Sequence, residues 1–164
     1  MKFSVCSKQK FTLGINPAEL STAQEKGVRI IRTGGHSIPV FYKKAGMVKT
    51  ERLLKAHLIG KRTGTIKKDG NTAVELRLIY LFPHTSSAPK WMREQVTFMT
   101  ERPDADNISK SVVDCMTELG FWEDDSMVFA HPVKYRAPHP CIKVEIIVWK
   151  QERNPEEEKL FCNS

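Results

Sequence analysis

The chain has 164 residues and a formal net charge of +7, with 40% hydrophobic and 27% charged residues. That length suits one domain with a real core, and the balance excludes both wholesale disorder and a fibrous repeat. No apolar run reaches the roughly 18–20 residues of a membrane-spanning helix, and the opening MKFSVCSKQKF lacks the apolar core of a secretory signal; a cytoplasmic protein with no membrane partner is expected.

In chain order, the first 40 residues offer two strand-like pieces, KFTLGI (10–15) and GVRIIRT (27–33), around a Gly34-Gly35 turn, and their pairing is left open. VKTERLLKAHLIGKR predicts a helix over 48–62, with Leu53, Leu54, His57 and Leu58 on one stripe and Lys61 and Arg62 at its negative pole. AVELRLIYLF (73–82) is the clearest strand, because Val74, Leu76, Leu78, Tyr80 and Phe82 alternate with Glu75 and Arg77 before Pro83. From Pro83 to Arg102 the pattern weakens to an insertion or flap, within which EQVTFMT suits a short strand. A second helix is predicted from Asn107 to Leu119, with Ile108, Val112, Cys115, Met116 and Leu119 at helical spacing and Gly120 as its stop. SMVFAHPVKY (126–135) reads as a strand, since β-branched and aromatic residues cluster there and Pro132 would interrupt a helix. CIKVEIIVW (141–149) alternates with Ile142, Val144, Ile146 and Val148 on one face.

These elements predict an α+β fold, a small mixed β-sheet packed against two main helices. One domain over 1–150 and a mobile polar tail over 151–164 are expected. Cys6, Cys115, Cys141 and Cys162 include no C-x-x-C pair, so structural free thiols are expected in place of disulfides or zinc.

The chemistry concentrates in RPDADNISKS (102–111), where Asp104 and Asp106 stand at the mouth of the second helix with Asn107 and Lys110 behind them. A helix cap accounts for one acid. Two acids in D-x-D exceed that need and offer oxygen ligands to a hard divalent cation from one side. Lys110 follows Asp106 by four residues and shares its helical face, with Asp114 one turn further along; an ordinary ion pair explains that spacing equally well. A second acidic pair, Asp124 and Asp125 in GFWEDDSMV, precedes a strand that could run back beside the helix start. Asp125 is then expected to meet Asp104 and Asp106 in a three-carboxylate cluster that calls for a neutralising cation. An EF-hand loop, H-E-x-x-H, a G-x-x-x-x-G-K-[ST] phosphate loop and a G-x-S-x-G turn are all missing from the sequence, and no nucleotide cofactor is expected. The charge is also divided: residues 1–72 hold 15 Lys/Arg against 4 Asp/Glu, and residues 73–164 hold 11 against 15. A basic half joined to an acidic half suits a polyanion partner plus a separate carboxylate site, although a solvated basic surface with an acidic tail gives the same totals.

RPDADNISKSVVDCMTELGFWEDDSMV (102–128) resembles the signature of the RusA family of Holliday junction resolvases: D-x-D-N, Lys six residues after the first Asp, a helix, G-x-x-x-D-D, then a strand. VELRLIYLFP and FYKKAGMVKTERLLKAHL are similar to the family's preceding strand and its basic segment and first helix, whereas most of the first 40 residues align with nothing. The resemblance implies a RusA-like fold and a Mg2+-dependent endodeoxyribonuclease, with Mn2+ as a substitute ion. It also implies a homodimer that nicks two strands of a four-way DNA junction symmetrically in recombination or repair, often in phages and prophages. Asp104, Asp106 and Asp125 correspond to the family's metal-binding carboxylates, Asp124 to a neighbouring acid counted with them as a candidate metal ligand, and Lys110 to its essential lysine. Lys43, Lys44, Lys49, Arg52, Lys61, Arg62, Lys67 and Lys68 then become candidates for holding duplex arms. One departure is the stretch between Phe82 and Asp104, longer than the family pattern implies. Two other readings stay open: a nuclease for other branched or linear DNA, and a DNA-binding protein without catalysis. Trp91 is a candidate for stacking on unpaired bases, while Trp122 and Trp149 fit core packing better.

Overall fold

The computed structural model describes residues 2–21 and 26–152; Cys162 and the expected tail from 153 onward lie outside them. The elements run β1 (Lys2–Leu13), β2 (Lys26–Thr33), β3 (His36–Lys43), α1 (Ala45–Leu58), β4 (Thr72–Phe82), α2 (Lys90–Arg93), β5 (Thr97–Phe98), α3 (Ala105–Glu118), β6 (Val128–Arg136) and β7 (Cys141–Glu152). Five strands form one sheet in the order β1-β7-β4-β6-β5, and β2 pairs with β3 in a separate ribbon. The α+β class read from the sequence is the class found.

β4 is the central strand of the sheet, hydrogen-bonded on both edges, and one of its faces is fully covered. Val74, Leu76, Leu78 and Tyr80 are fully buried on one face, where they pack with Ile108, Val112 and Met116 of α3 and Leu54 and Leu58 of α1. On the other face Glu75 accepts hydrogen bonds from Arg77 Nε at 2.5 Å and Trp149 Nε1 at 2.8 Å, which satisfies its buried carboxylate. β4 and β7 are antiparallel, whereas β4 and β6 are parallel in the register Val74↔Val128 to Phe82↔Arg136. A parallel pair needs a long crossover, and α3 belongs to that connection. Pro132 is tolerated in β6 because β5 pairs with it at Tyr135 and Arg136, beyond the proline. Trp122 is 1% exposed and donates from Nε1 to Thr117 Oγ1 at 2.7 Å, which makes it a core residue.

Several boundaries differ from the sequence-based ones. α1 begins at Ala45 and gives way at Ile59 to a 3-10 turn through Lys61, so Lys61 and Arg62 lie past its end. α3 starts at Ala105, two residues before the predicted Asn107. β1 extends back to Lys2, with a register shift between Val5 and Ser7 against β7, and β7 continues to Glu152. His36–Lys43 returns along Lys26–Thr33 through Gly34 and Gly35, whose φ angles of 59° and 83° favour glycine. Within this ribbon Tyr42 lies across Gly27, where an added Cβ would fall 2.3 Å from Cζ of its ring.

Candidate active site

α3 delivers the acids. Asp104 occupies its N-cap with extended backbone, φ −67° and ψ 133°, yet its side chain makes no capping bond, so the carboxylate remains available. Asp106 lies in the first helical turn, where the positive pole of the dipole favours its charge. Ile108, Val112, Cys115 and Met116 bury the opposite stripe, and Ser109 fixes the helix start by donating to the Ala105 carbonyl at 2.7 Å. That packing turns Asp106, Lys110 and Asp114, each four residues apart, toward one cleft.

The cleft has a volume of about 260 Å³ and is lined by Asp106, Ser109, Lys110, Val113, Asp114, Asp125, Ala130 and Pro132. Asp125 reaches it from a short 3-10 turn, Asp125–Met127, just ahead of β6. The structure therefore brings Asp106, Lys110 and Asp125 to one cleft, whereas Asp104 is exposed and is not among its lining residues. Asp114 is a cleft residue not put forward from the sequence as a site residue; its four-residue spacing from Lys110 is the signal that identifies it. Partial burial pushes the Asp114 carboxyl above its ordinary range; the Lys110 ammonium opposes that shift and the Asp125 charge reinforces it.

Asp124 has a different setting. Its carboxylate accepts from Lys68 Nζ at 2.6 Å and from the Ser126 backbone at 2.8 Å, and these bonds hold it well below the usual carboxylate range. Lys68 ends a strap, residues 62–68, that crosses the turn between α3 and β6. Arg62 NH1 donates to the Leu119 carbonyl at 2.9 Å, and Thr65 Oγ1 donates to the Gly120 carbonyl at 2.8 Å. Ile66 exchanges backbone bonds with Phe121 and Glu123 at 2.9 and 3.1 Å. Lys67 pairs with Glu123 at 2.7 Å. Gly120, with φ 75°, ends α3 where Arg62 passes, and a Cβ there would sit 2.8 Å from the guanidinium.

Three basic residues expected to hold DNA, Arg62, Lys67 and Lys68, are thus engaged with the turn that carries Asp125. Lys43 is likewise paired, with Glu51 at 2.6 Å, and that hydrogen bond raises its pKa. Lys44, Lys49, Arg52 and Lys61 are exposed on or beside α1, with no ion pair among the described residues.

The donor chemistry of the cleft fits a hard divalent cation. Among the described residues no three His, Cys, Asp or Glu side chains form a ready-made ligand group. Mg2+ does not require one, because it keeps several waters and takes one or two carboxylates plus substrate phosphates. Asp106 and Asp125 in the cleft offer two such carboxylates, and Asp104 stands two residues before Asp106 with no capping bond.

An α+β domain with a carboxylate-lined cleft at a helix start and a lysine one turn on is the architecture in hand. The family of Endodeoxyribonuclease RusA matches residues 21–147. The chain belongs to the RusA endodeoxyribonuclease family. The match begins upstream of β2 and so takes in the whole ribbon, of which the motif-based resemblance reached only the end of β3. No curated protein matches the chain. No helix among the described residues is long and apolar enough to cross a membrane.

Proposed function

We propose that the chain resolves four-way DNA junctions as a Mg2+-dependent, homodimeric endodeoxyribonuclease, each protomer nicking one of two opposed strands. The convergence of Asp106, Lys110 and Asp125 on one cleft supports this reading. Asp106 and Asp125, assisted by Asp104, would hold the ion. When bound, it supplies Lewis-acid polarisation of the scissile phosphate and a water of lowered pKa. Lys110 places a positive charge beside the same phosphate as negative charge builds on its oxygens. Asp114, one turn behind, adds a third carboxylate to the same cleft. Lys44, Lys49, Arg52 and Lys61 offset the repulsion between DNA and the acids by holding backbone phosphates. Asp124, bound to Lys68 and Ser126, serves as the anchor that places Asp125. A homodimer supplies two such clefts for the paired nicks.

The deciding experiment is cleavage of an end-labelled four-way junction by the wild type and Asp104→Asn, with Mg2+ and with EDTA, beside a binding assay. Opposed nicks by wild type only with Mg2+, and binding without cleavage by the variant, are expected. Equal rates on flap or linear duplex would move the substrate to another DNA, and binding without cleavage by either protein would leave a DNA-binding role.

A further inference from the structure

Residues 83–102 form a built segment. Arg136 holds both ends, donating from NH1 to the Pro83 carbonyl at 2.6 Å and from NH2 to Glu101 Oε2 at 2.8 Å. Between them Arg93 Nε donates to the Ala88 carbonyl at 2.6 Å, and His84 Nε2 bonds the Gln95 carbonyl at 2.9 Å. Met99 anchors the segment in the core. Backbone fixed this way presents its side chains at set positions. What it presents next to Met99 is Phe98, 83% exposed and the most exposed large hydrophobic side chain among the described residues. Its ring leans on Tyr135 with centroids 5.6 Å apart and planes tilted by 39°, which orients Phe98 while most of it stays in water.

Charge selects the occupant. The segment and the end of β6 that fastens it carry Lys90, Arg93, Arg102, Lys134 and Arg136 against Glu94 and Glu101. That excess repels a second copy of the same patch and attracts nucleic acid. The patch is also tied to the acids: Lys134 Nζ donates to the carbonyls of Glu101 and Pro103 at 2.7 and 2.8 Å, immediately before Asp104. We propose that Phe98, backed by Tyr135, is a stacking site for an unpaired base of DNA held at the acidic cleft. An exposed π-face takes any base, so the site would sense strand opening without reading sequence. This inference rests on the reading of DNA as the substrate.

The test uses the full-length chain in EDTA with 2-aminopurine placed at the branch of a four-way junction, in a single strand, or inside linear duplex. Wild type is expected to quench the probe in the first two. Phe98→Ala is expected to abolish that quenching at saturating protein and to weaken binding of both about tenfold, with duplex binding unchanged. Phe98→Trp is expected to restore the signal. Absence of quenching by wild type, its retention in Phe98→Ala, or full rescue by the non-aromatic Phe98→Leu each overturns the proposal. So does a Phe98→Ala protein whose sedimentation mass is halved, because the ring would then face a second copy. If wild type quenches the single-strand probe but prefers no junction over duplex, the stacking site stands and the junction-resolving reading fails.

Discussion

Lys68 Nζ lies 2.6 Å from Asp124 Oδ2, and this contact closes the strap over the turn that carries Asp125 into the cleft. The pair is partly exposed, so its contribution to global stability is small. Its effect is on placement, because a carboxylate displaced by about 1 Å loses much of its catalytic value. Lys68→Ala is therefore expected to lower single-turnover cleavage about tenfold while junction affinity changes less than about threefold. A loss confined to affinity would instead make Lys68 a phosphate contact.

Glu75 gives the fold a pH dependence. Burial works against its charge, but the hydrogen bonds from Arg77 and Trp149 outweigh this and lower its pKa from the ordinary 4.5. A depressed carboxyl pKa stabilises the fold above the unfolded-state value, and the benefit is lost as pH falls through the folded value. Glu75→Gln is expected to cost about 1.5 kcal/mol at pH 7, the scale of a hydrogen bond to a charged group, and much less near pH 3. Denaturant melts at the two pH values test this; an equal deficit at both would show that packing, not charge, is lost.

The thiols differ in reactivity by position. Cys6 is exposed on β1, while Cys115 is buried on α3, where burial pushes its thiol up to about 11. Iodoacetamide at pH 8 is expected to label Cys6 before Cys115, which it reaches only after unfolding, since the thiolate is the reactive form. Peptide mapping after timed quenching reads the order.

Trp122 fills the space between α3 and the strap. Trp122→Ala is expected to destabilise the domain by about 3–5 kcal/mol through the cavity left behind. Trp122→Phe keeps most of the volume but leaves Thr117 Oγ1 without its donor, and an intermediate loss is expected. Thermal melts of both variants rank the two contributions.

The legible parts of the fold were those where one face is buried and the other polar. β4 and β7 announce themselves because their apolar residues alternate against α1 and α3, and α3 does so because its stripe recurs at helical spacing. The ribbon was half visible: Ile30, Ile31, Ile38, Val40 and Phe41 are all exposed, so no in–out alternation marks the register of β3 against β2. β5, two residues long, carries no period. At the site, Asp106, Lys110 and Asp125 could be placed together because a helix face and a returning strand bring them there. The strap could not be foreseen, since Arg62, Lys67 and Lys68 reach their partners across more than fifty residues of chain. Charge alone marks such residues as available for DNA; the partners they hold within the fold come from tertiary contacts.

The parallel pairing of β4 with β6 has a wider consequence. Because α3 lies in the crossover between them, all the side chains that line the cleft come from residues 106–132. The ribbon, the strap and the 83–102 segment attach around this unit and contribute none of its lining. The candidate chemistry is therefore furnished by one continuous stretch of chain, which the strap braces from outside at the turn that carries Asp125.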